Sequence, residues 1–170
     1  MDTAIQIKRL TENDWEVFRA IRLEALQTNP SVFLKSYEIE CKQPASHWMN
    51  TLQNHNVAVF ALYEGDAVIG LTGAFRVREG AQDSVNFGMS FLRPAYRRRG
   101  LSTLFYEARI NWAKEQAGVN HIDVSHRAGN DASCAAILKF GFTLSNIETI
   151  DYPDSTQDKT YRYKLALDTP

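Results

Sequence analysis

Phe91-Leu92-Arg93-Pro94-Ala95-Tyr96-Arg97-Arg98-Arg99-Gly100-Leu101-Ser102-Thr103-Leu104 is the stretch on which the reading of this chain turns. An apolar run (Val85, Phe87, Met89, Phe91, Leu92) stops at Pro94, four arginines fall from Arg93 to Arg99, and a helical pattern starts just after Ser102. The order is strand, cationic turn, helix N-terminus. A helix N-terminus exposes backbone N–H groups without partners and carries partial positive charge, which suits it to anions. Gly100 permits close backbone approach, and Ser102 and Thr103 can cap the helix or donate to an oxygen. The segment suits a phosphate-bearing ligand. A P-loop or a dinucleotide fingerprint would need glycine strings that do not occur. Taken alone, the arginines fit a solvated basic turn equally well.

The rest of the chain sets the context. At 170 residues it suits one domain with a real core, and its 44% apolar and 23% charged residues are ordinary for a soluble fold. A net charge of −1 argues against a global pull toward nucleic acid or anionic membrane, so the arginines are a local feature. Two cysteines, Cys41 and Cys134, are too few for a disulfide framework. No secretory leader pattern opens the chain, and no apolar stretch approaches the ~18 residues of a membrane span. The expectation is a cytoplasmic, reduced protein. His, Cys, Asp and Glu show no metal-ligand spacing, so no metal is expected.

Alternation over residues 5–10 predicts a short strand. Trp15, Phe18, Ile21, Arg22, Ala25 and Leu26 keep helical spacing, predicting an amphipathic helix to about Thr28. Further helical stretches are predicted over Val32 to Glu40 and from Pro44 to Gln53. Residues 57–63, 67–77 and 84–92 read as an antiparallel meander turned at Glu64-Gly65-Asp66 and Glu79-Gly80. After the cationic turn come a helix to about Gly118 and a buried strand over 121–126. A crossover helix between two strands implies that they run parallel. A helix over Asn130 to Phe140 and a closing hairpin, 143–151 and 159–167 around Pro153-Asp154-Ser155, complete the chain.

This pattern resembles the GNAT superfamily of N-acetyltransferases. Two separated motifs carry the resemblance: Pro94-Ala95-Tyr96-Arg97-Arg98-Arg99-Gly100-Leu101-Ser102, similar to the family's acetyl-CoA loop, and Asn130-Asp131-Ala132-Ser133 followed by Ile137-Leu138-Lys139-Phe140-Gly141-Phe142, similar to its later Asn-x-x-Ala/Ser helix. The resemblance spans nearly the full length. It implies a single-domain α+β (mixed α/β) fold over residues 1–170: a mixed central sheet of about seven strands, the fourth and fifth splayed apart, flanked by about four helices. It implies acetyl-CoA as co-substrate. Its pantetheine arm would lie along the strand backbone near Phe91 and Leu92, its pyrophosphate on the amides from Arg98 to Thr103 beside Arg97, Arg99, Gly100, Leu101 and Ser102, with Asn130 nearby. The acceptor implied is a primary amine of a small molecule or peptide that attacks the thioester directly. Dimers are frequent in such proteins, so a homodimer is one expectation.

The chain departs from the family at two points. Arg98 and Ser102 stand where loop glycines are common. Ile137 stands where many members carry a Tyr that protonates the leaving thiolate. Relatives with Asn-x-x-Ser give a catalytic role to the Ser, which makes Ser133 the candidate acid; Cys134 is an alternative if it faces the cleft, and otherwise a small core residue. The strand over 85–92 offers no carboxylate, so His126, at the end of the next strand, is the candidate base or proton relay, set against a half-exposed strand-end His. In this superfamily the first helices wall the acceptor site, which makes Phe33, Tyr37 and Glu38 candidate substrate contacts, although core packing and a solvated helix face explain them too. A different class stays open: an acyl-CoA-binding sensor without catalysis, which Ile137 and the missing strand carboxylate would suit.

Overall fold

The computed structural model describes residues 3–80 and 82–168. Seven strands form one sheet in the order β1-β2-β3-β4-β5-β7-β6: β1 (Ile5–Arg9), β2 (Val57–Glu64), β3 (Ala67–Glu79), β4 (Gln82–Leu92), β5 (His121–Arg127), β6 (Thr143–Asp151) and β7 (Gln157–Ala166). Five helices accompany them: α1 (Trp15–Thr28), α2 (Tyr37–Glu40), α3 (Ala45–Gln53), α4 (Ser102–Glu115) and α5 (Asp131–Lys139). All neighbours are antiparallel except β4 and β5, which the crossover through α4 makes parallel.

The hydrophobic pattern sorts the layers. β2 is buried along most of its length because helices cover both faces. Its Val59 and Ala61 join Phe18, Ile21, Leu26 and Trp48 on the α1/α3 face. Its Ala58 and Phe60 join Tyr106, Trp112 and Ile137 on the α4/α5 face. The helix predicted over residues 32–40 is shorter than its spacing suggested. Only Tyr37–Glu40 is α-helical; Pro30–Val32 forms a 3-10 turn, and Phe33 and Ser36 are extended. Residues 29–33 are diverted from helix by tertiary ties: Arg97 Nη2 donates to Asn29 Oδ1 and Arg127 Nη1 donates to the Ser31 carbonyl. Tertiary contacts override local propensity here.

Two irregularities open the middle of the sheet. β4 pairs with β5 only from Ser84 opposite His121 to Asn86 opposite Asp123. Beyond that, β4 follows β3 to Leu92 and β5 follows β7 to Arg127, so their facing edges diverge. The second is a bulge in β4: Leu71 opposes Phe91 while Gly73 opposes Gly88, with Met89 at φ +58°. A bulge reverses the alternation of side chains. Val85 and Phe87 pack on the α4/α5 face, whereas Met89 and Phe91 pack on the α1/α3 face. The sequence signalled the strand but not this reversal.

Candidate active site

The cationic turn sits where β4 ends and α4 begins. Three of its four arginines are engaged. Arg93 Nε and Nη2 each donate to the Glu24 carboxylate at 2.9 Å. Arg97 turns back, donating from Nε to the Leu92 carbonyl at 2.9 Å and from Nη2 to Asn29 Oδ1 at 3.0 Å. Arg99 stacks over the Tyr96 ring at 5.4 Å, and the Tyr96 hydroxyl donates to Glu64 at 2.6 Å, an acceptor that holds the phenol protonated and raises its pKa. Arg98 has no side-chain partner among the described residues. A cation cluster on sequence is thus, in space, a braced loop that leaves Arg98 and the solvent face of Arg99 free.

The backbone of this loop carries the stronger signal. Arg98 and Gly100 both take left-handed conformations, φ +62° and +73°. Among the described residues, the amides of Arg98, Arg99, Gly100 and Leu101 donate to nothing, while those of Arg97, Thr103 and Leu104 are satisfied locally. No side chain caps α4 either; the N-cap is Leu101, so Ser102 and Thr103 do not serve as caps. A Cβ built on Gly100 would meet no atom within 4 Å. Free amides at a helix start beside an uncrowded glycine form an anion cradle, and they lie next to the gap between β4 and β5.

The gap has two walls of different chemistry. On the α4/α5 side, Arg109 of α4 is 1% exposed, with its guanidinium over the Phe87 and Tyr106 rings at 4.2 and 4.6 Å. Its Nη1 donates to Ser90 Oγ at 3.1 Å, and Ser90 shares a 2.8 Å hydrogen bond with Thr72. Burial lowers its pKa to about 10, which leaves it charged at neutral pH. The bulge turns Ser90 toward α4, and Arg109 holds it there. His126 belongs to this same side. It alternates in phase with buried Ile122 and Val124, stacks on Tyr161, and meets the Tyr163 hydroxyl at 3.0 Å through Nε2 and the Arg127 carbonyl at 2.8 Å through Nδ1. The carbonyl assigns the proton of a neutral ring to Nδ1, so Tyr163 donates to Nε2. Desolvation first, and the contact with Cys134, push Tyr163 up to about 12; the Cys134 sulfur lies 3.5 Å from its hydroxyl. Both nitrogens of His126 are therefore occupied, and Cys134 is turned to Tyr163.

On α5, Asn130 is the N-cap, its Oδ1 accepting from the Ser133 amide at 3.3 Å. Ser133 is half-buried on the first turn, and its hydroxyl makes no hydrogen bond among the described residues. Ile137 is 1% exposed and packs in the core. Of the cofactor candidates, Phe91 is buried in the α1-side cluster and Leu92 packs against Leu62, Ile69 and Phe105, its carbonyl already accepting from Arg97.

The α1 side forms the other wall. Residues 29–31 bridge the gap, tied at Asn29 to Arg97 beside β4 and at Ser31 to Arg127 at the end of β5. Arg127 also donates to Asp154, Asp158 and Thr156 and stacks over Tyr152 at 4.1 Å, so one guanidinium joins this bridge to the β6–β7 loop. A hollow of about 460 Å³ opens beside it, with Tyr37, Glu38 and Asp154 among its lining residues. Phe33 instead covers the Arg22 guanidinium at 5.1 Å. Sequence reasoning missed Arg22, Arg109, Ser90, Arg127 and Tyr163. Arg22 alone left a signal, as a charge within the apolar stripe of α1.

No curated protein matches the chain by sequence. Among solved structures, yncA of Salmonella typhimurium, a putative acetyltransferase with its cofactor acetyl-CoA, aligns with TM-score 0.78 at 17% identity over 97% of this chain and 95% of that one. RimL, a ribosomal L7/L12 alpha-N-protein acetyltransferase in complex with coenzyme A, aligns with TM-score 0.74 at 13% identity, covering 98% and 96%. Spermidine N-acetyltransferase of Vibrio cholerae, in complex with CoA and spermine, aligns with TM-score 0.73 at 11% identity, covering 95% of each chain. At these identities the likeness is one of fold. The acetyltransferase (GNAT) domain family matches by sequence over residues 5–143, which includes the cationic loop, the divergent strands and the Asn130 helix, so the chain belongs to the GNAT acetyltransferase family.

Proposed function

We propose that the chain is an acetyl-CoA-dependent N-acetyltransferase that acts on a primary amine. The observation that carries this reading is the run of unpaired amides from Arg98 to Leu101 at the start of α4, beside the divergence of β4 from β5. The residues fit the co-substrate. Gly100 leaves open space over those amides, and Arg98 and Arg99 supply charge for a pyrophosphate. Acetyl-CoA, when bound, supplies a thioester whose carbonyl carbon an amine can attack, forming the C–N bond as the C–S bond breaks.

The protein's own part is positioning and exclusion of water. The bridge of residues 29–31 confines the acceptor on the α1 side. Phe33, Tyr37 and Glu38 are its proposed contacts, Tyr37 and Glu38 through the hollow they line. Ser133 is the proposed proton donor to the leaving sulfur, its hydroxyl regaining the proton that the amine nitrogen sheds as the amide forms; the support is a free hydroxyl whose own backbone Asn130 holds. Asn130 is accordingly a positioning residue for Ser133 as well as a cofactor contact. His126 faces away from the α1 wall with both nitrogens bonded, which supports a relay or bracing role on the α5 side rather than removal of the acceptor's proton.

The test is thiol release from acetyl-CoA with a panel of amines, with the products identified by mass. Acetylated amine in step with free thiol supports the reading. Tight acetyl-CoA binding with no transfer to any amine replaces it with the non-catalytic sensor, which the buried Ile137 favours.

A further inference from the structure

We propose that Arg22 is an anion-binding group of the acceptor site and that the acceptor amine carries a carboxylate; the proposal rests on the acetyltransferase reading. Arg22 is 5% exposed, and its Nη1 is buried without any hydrogen-bond partner. A buried guanidinium is costly unless an anion pairs with it. No carboxylate reaches it among the described residues. Glu40 acts on it only from a distance and lies instead 3.6 Å from His47. Desolvation lowers the pKa of Arg22, and a guanidinium is the side chain that keeps its charge in proteins.

The helix geometry aims this charge at the acceptor wall. Residues two apart on a helix point about 200° apart. Glu24 faces the end of β4, where it pairs with Arg93, so Arg22 points the opposite way. Residues four apart share a face, and Leu26, one turn along from Arg22, lines the hollow with Tyr37 and Glu38. Phe33 covers the guanidinium from the segment that bridges β4 and β5. Nη1 is shut from solvent beneath Phe33, so a carboxylate would reach it by displacing that ring, while the amine of the same molecule would extend toward the gap. Phe33 and Tyr37, both partly buried, would offer apolar surface to the body between the two.

The experiment compares matched acceptors on the full chain: α-amino acids against their decarboxylated amines, and short peptides with an N-terminal Asp or Glu against their Asn or Gln counterparts. The wild type, Arg22→Gln and Arg22→Lys are each assayed for kcat and KM. The expected result is a preference for the acid of tenfold or more in kcat/KM in one arm. Arg22→Gln should abolish it through KM with kcat and acetyl-CoA affinity unchanged, and Arg22→Lys should restore part of it. Calorimetry of the deaminated acids, which cannot react, reads the same site: binding to wild type and not to Arg22→Gln supports the proposal even if no amine is acetylated. Equal rates for acid and neutral acceptors overturn it, as does a preference that survives Arg22→Gln. Should Arg22→Gln fail to fold, the wild-type preference and the binding of deaminated acids decide, and absence of both overturns it. Failure of the acetyltransferase reading shows separately, as absence of thiol release with every amine.

Discussion

Gly100 and Gly80 form a built-in controlled experiment on the cofactor cradle. Both hold left-handed backbone, φ +73° and +59°, and a Cβ on either would meet nothing within 4 Å. Gly80 turns the β3–β4 hairpin, outside the proposed site. Alanine at either position should therefore cost the same backbone strain, about 1–2 kcal/mol. For a chain of this size about 1 kcal/mol lowers Tm by roughly 2–4 °C, so each variant should melt some 2–8 °C below wild type and stay folded. Their ligand responses should differ. At Gly100 the new methyl occupies the open space over the free amides and displaces a phosphate from one or two charge-assisted hydrogen bonds, each worth about 1.5–3 kcal/mol. That weakens acetyl-CoA by roughly tenfold to several-hundredfold or more. Acetyl-CoA at a hundred times its Kd stabilises a binding-competent protein by about 2.7 kcal/mol. Wild type and Gly80→Ala should show that upward Tm shift, and Gly100→Ala should show about half of it at a tenfold loss of affinity and almost none at a several-hundredfold loss. Calorimetry gives the affinities directly. A Gly100→Ala protein that binds acetyl-CoA as wild type does, or a Gly80→Ala protein that loses as much, refutes the cradle.

Three further outcomes are expected. Ser133→Ala should lower kcat with acetyl-CoA affinity near normal; full turnover removes Ser133 from the mechanism. His126→Gln should leave the acidic limb of the pH–rate profile in place, because both ring nitrogens are bonded on the face away from the acceptor wall, and a flattened limb would return His126 to the role of base. Hydrogen bonds from Thr156 and Arg127 hold Asp154 at about 2, below its ordinary 3.8. A depressed carboxylate pKa gives stability that is present above the ordinary value and lost as pH falls toward the folded one. The β6–β7 loop should thus loosen between about pH 4 and pH 2, seen as rising amide exchange around Asp154, and Arg127→Gln should show the looseness already at neutral pH.

The fold was legible because its elements are locally consistent. Continuous apolar runs bounded by turn residues mark β2 and β3, helical spacing marks α1, and a crossover helix makes β4 and β5 run parallel whatever the side chains. The helix expected over Val32 to Glu40 forms only at Tyr37–Glu40; the hydrogen bonds that fix Asn29 and Ser31 come from Arg97 and Arg127, 68 and 96 residues away, which no local window contains. The arginine loop was legible both as charge and as bare helix-start amides; in space Arg93 and Arg97 serve as braces, and the amides of Arg98 to Leu101 donate to nothing among the described residues. Whether Arg98 to Leu101 donate internally depends on φ angles that side-chain identity does not dictate at Arg98.

The bulge at Met89 links these observations. Strict alternation through β4 would have put Met89 with Val85 and Phe87 against α4, and Ser90 against α1. One extra residue opposite Thr72 reverses this. Ser90 now meets Arg109, and Met89 joins the apolar cluster behind Phe33 and Tyr37. The α1 wall of the gap is thereby apolar next to β4, and its deepest charge is the unpaired Arg22 rather than a strand carboxylate. On the proposed reading, an amine approaching from that side would meet no side-chain base on β4 between Val85 and Leu92. Its selection then rests on what else the molecule carries, and the orphaned guanidinium is the group on that wall able to read a negative charge at depth.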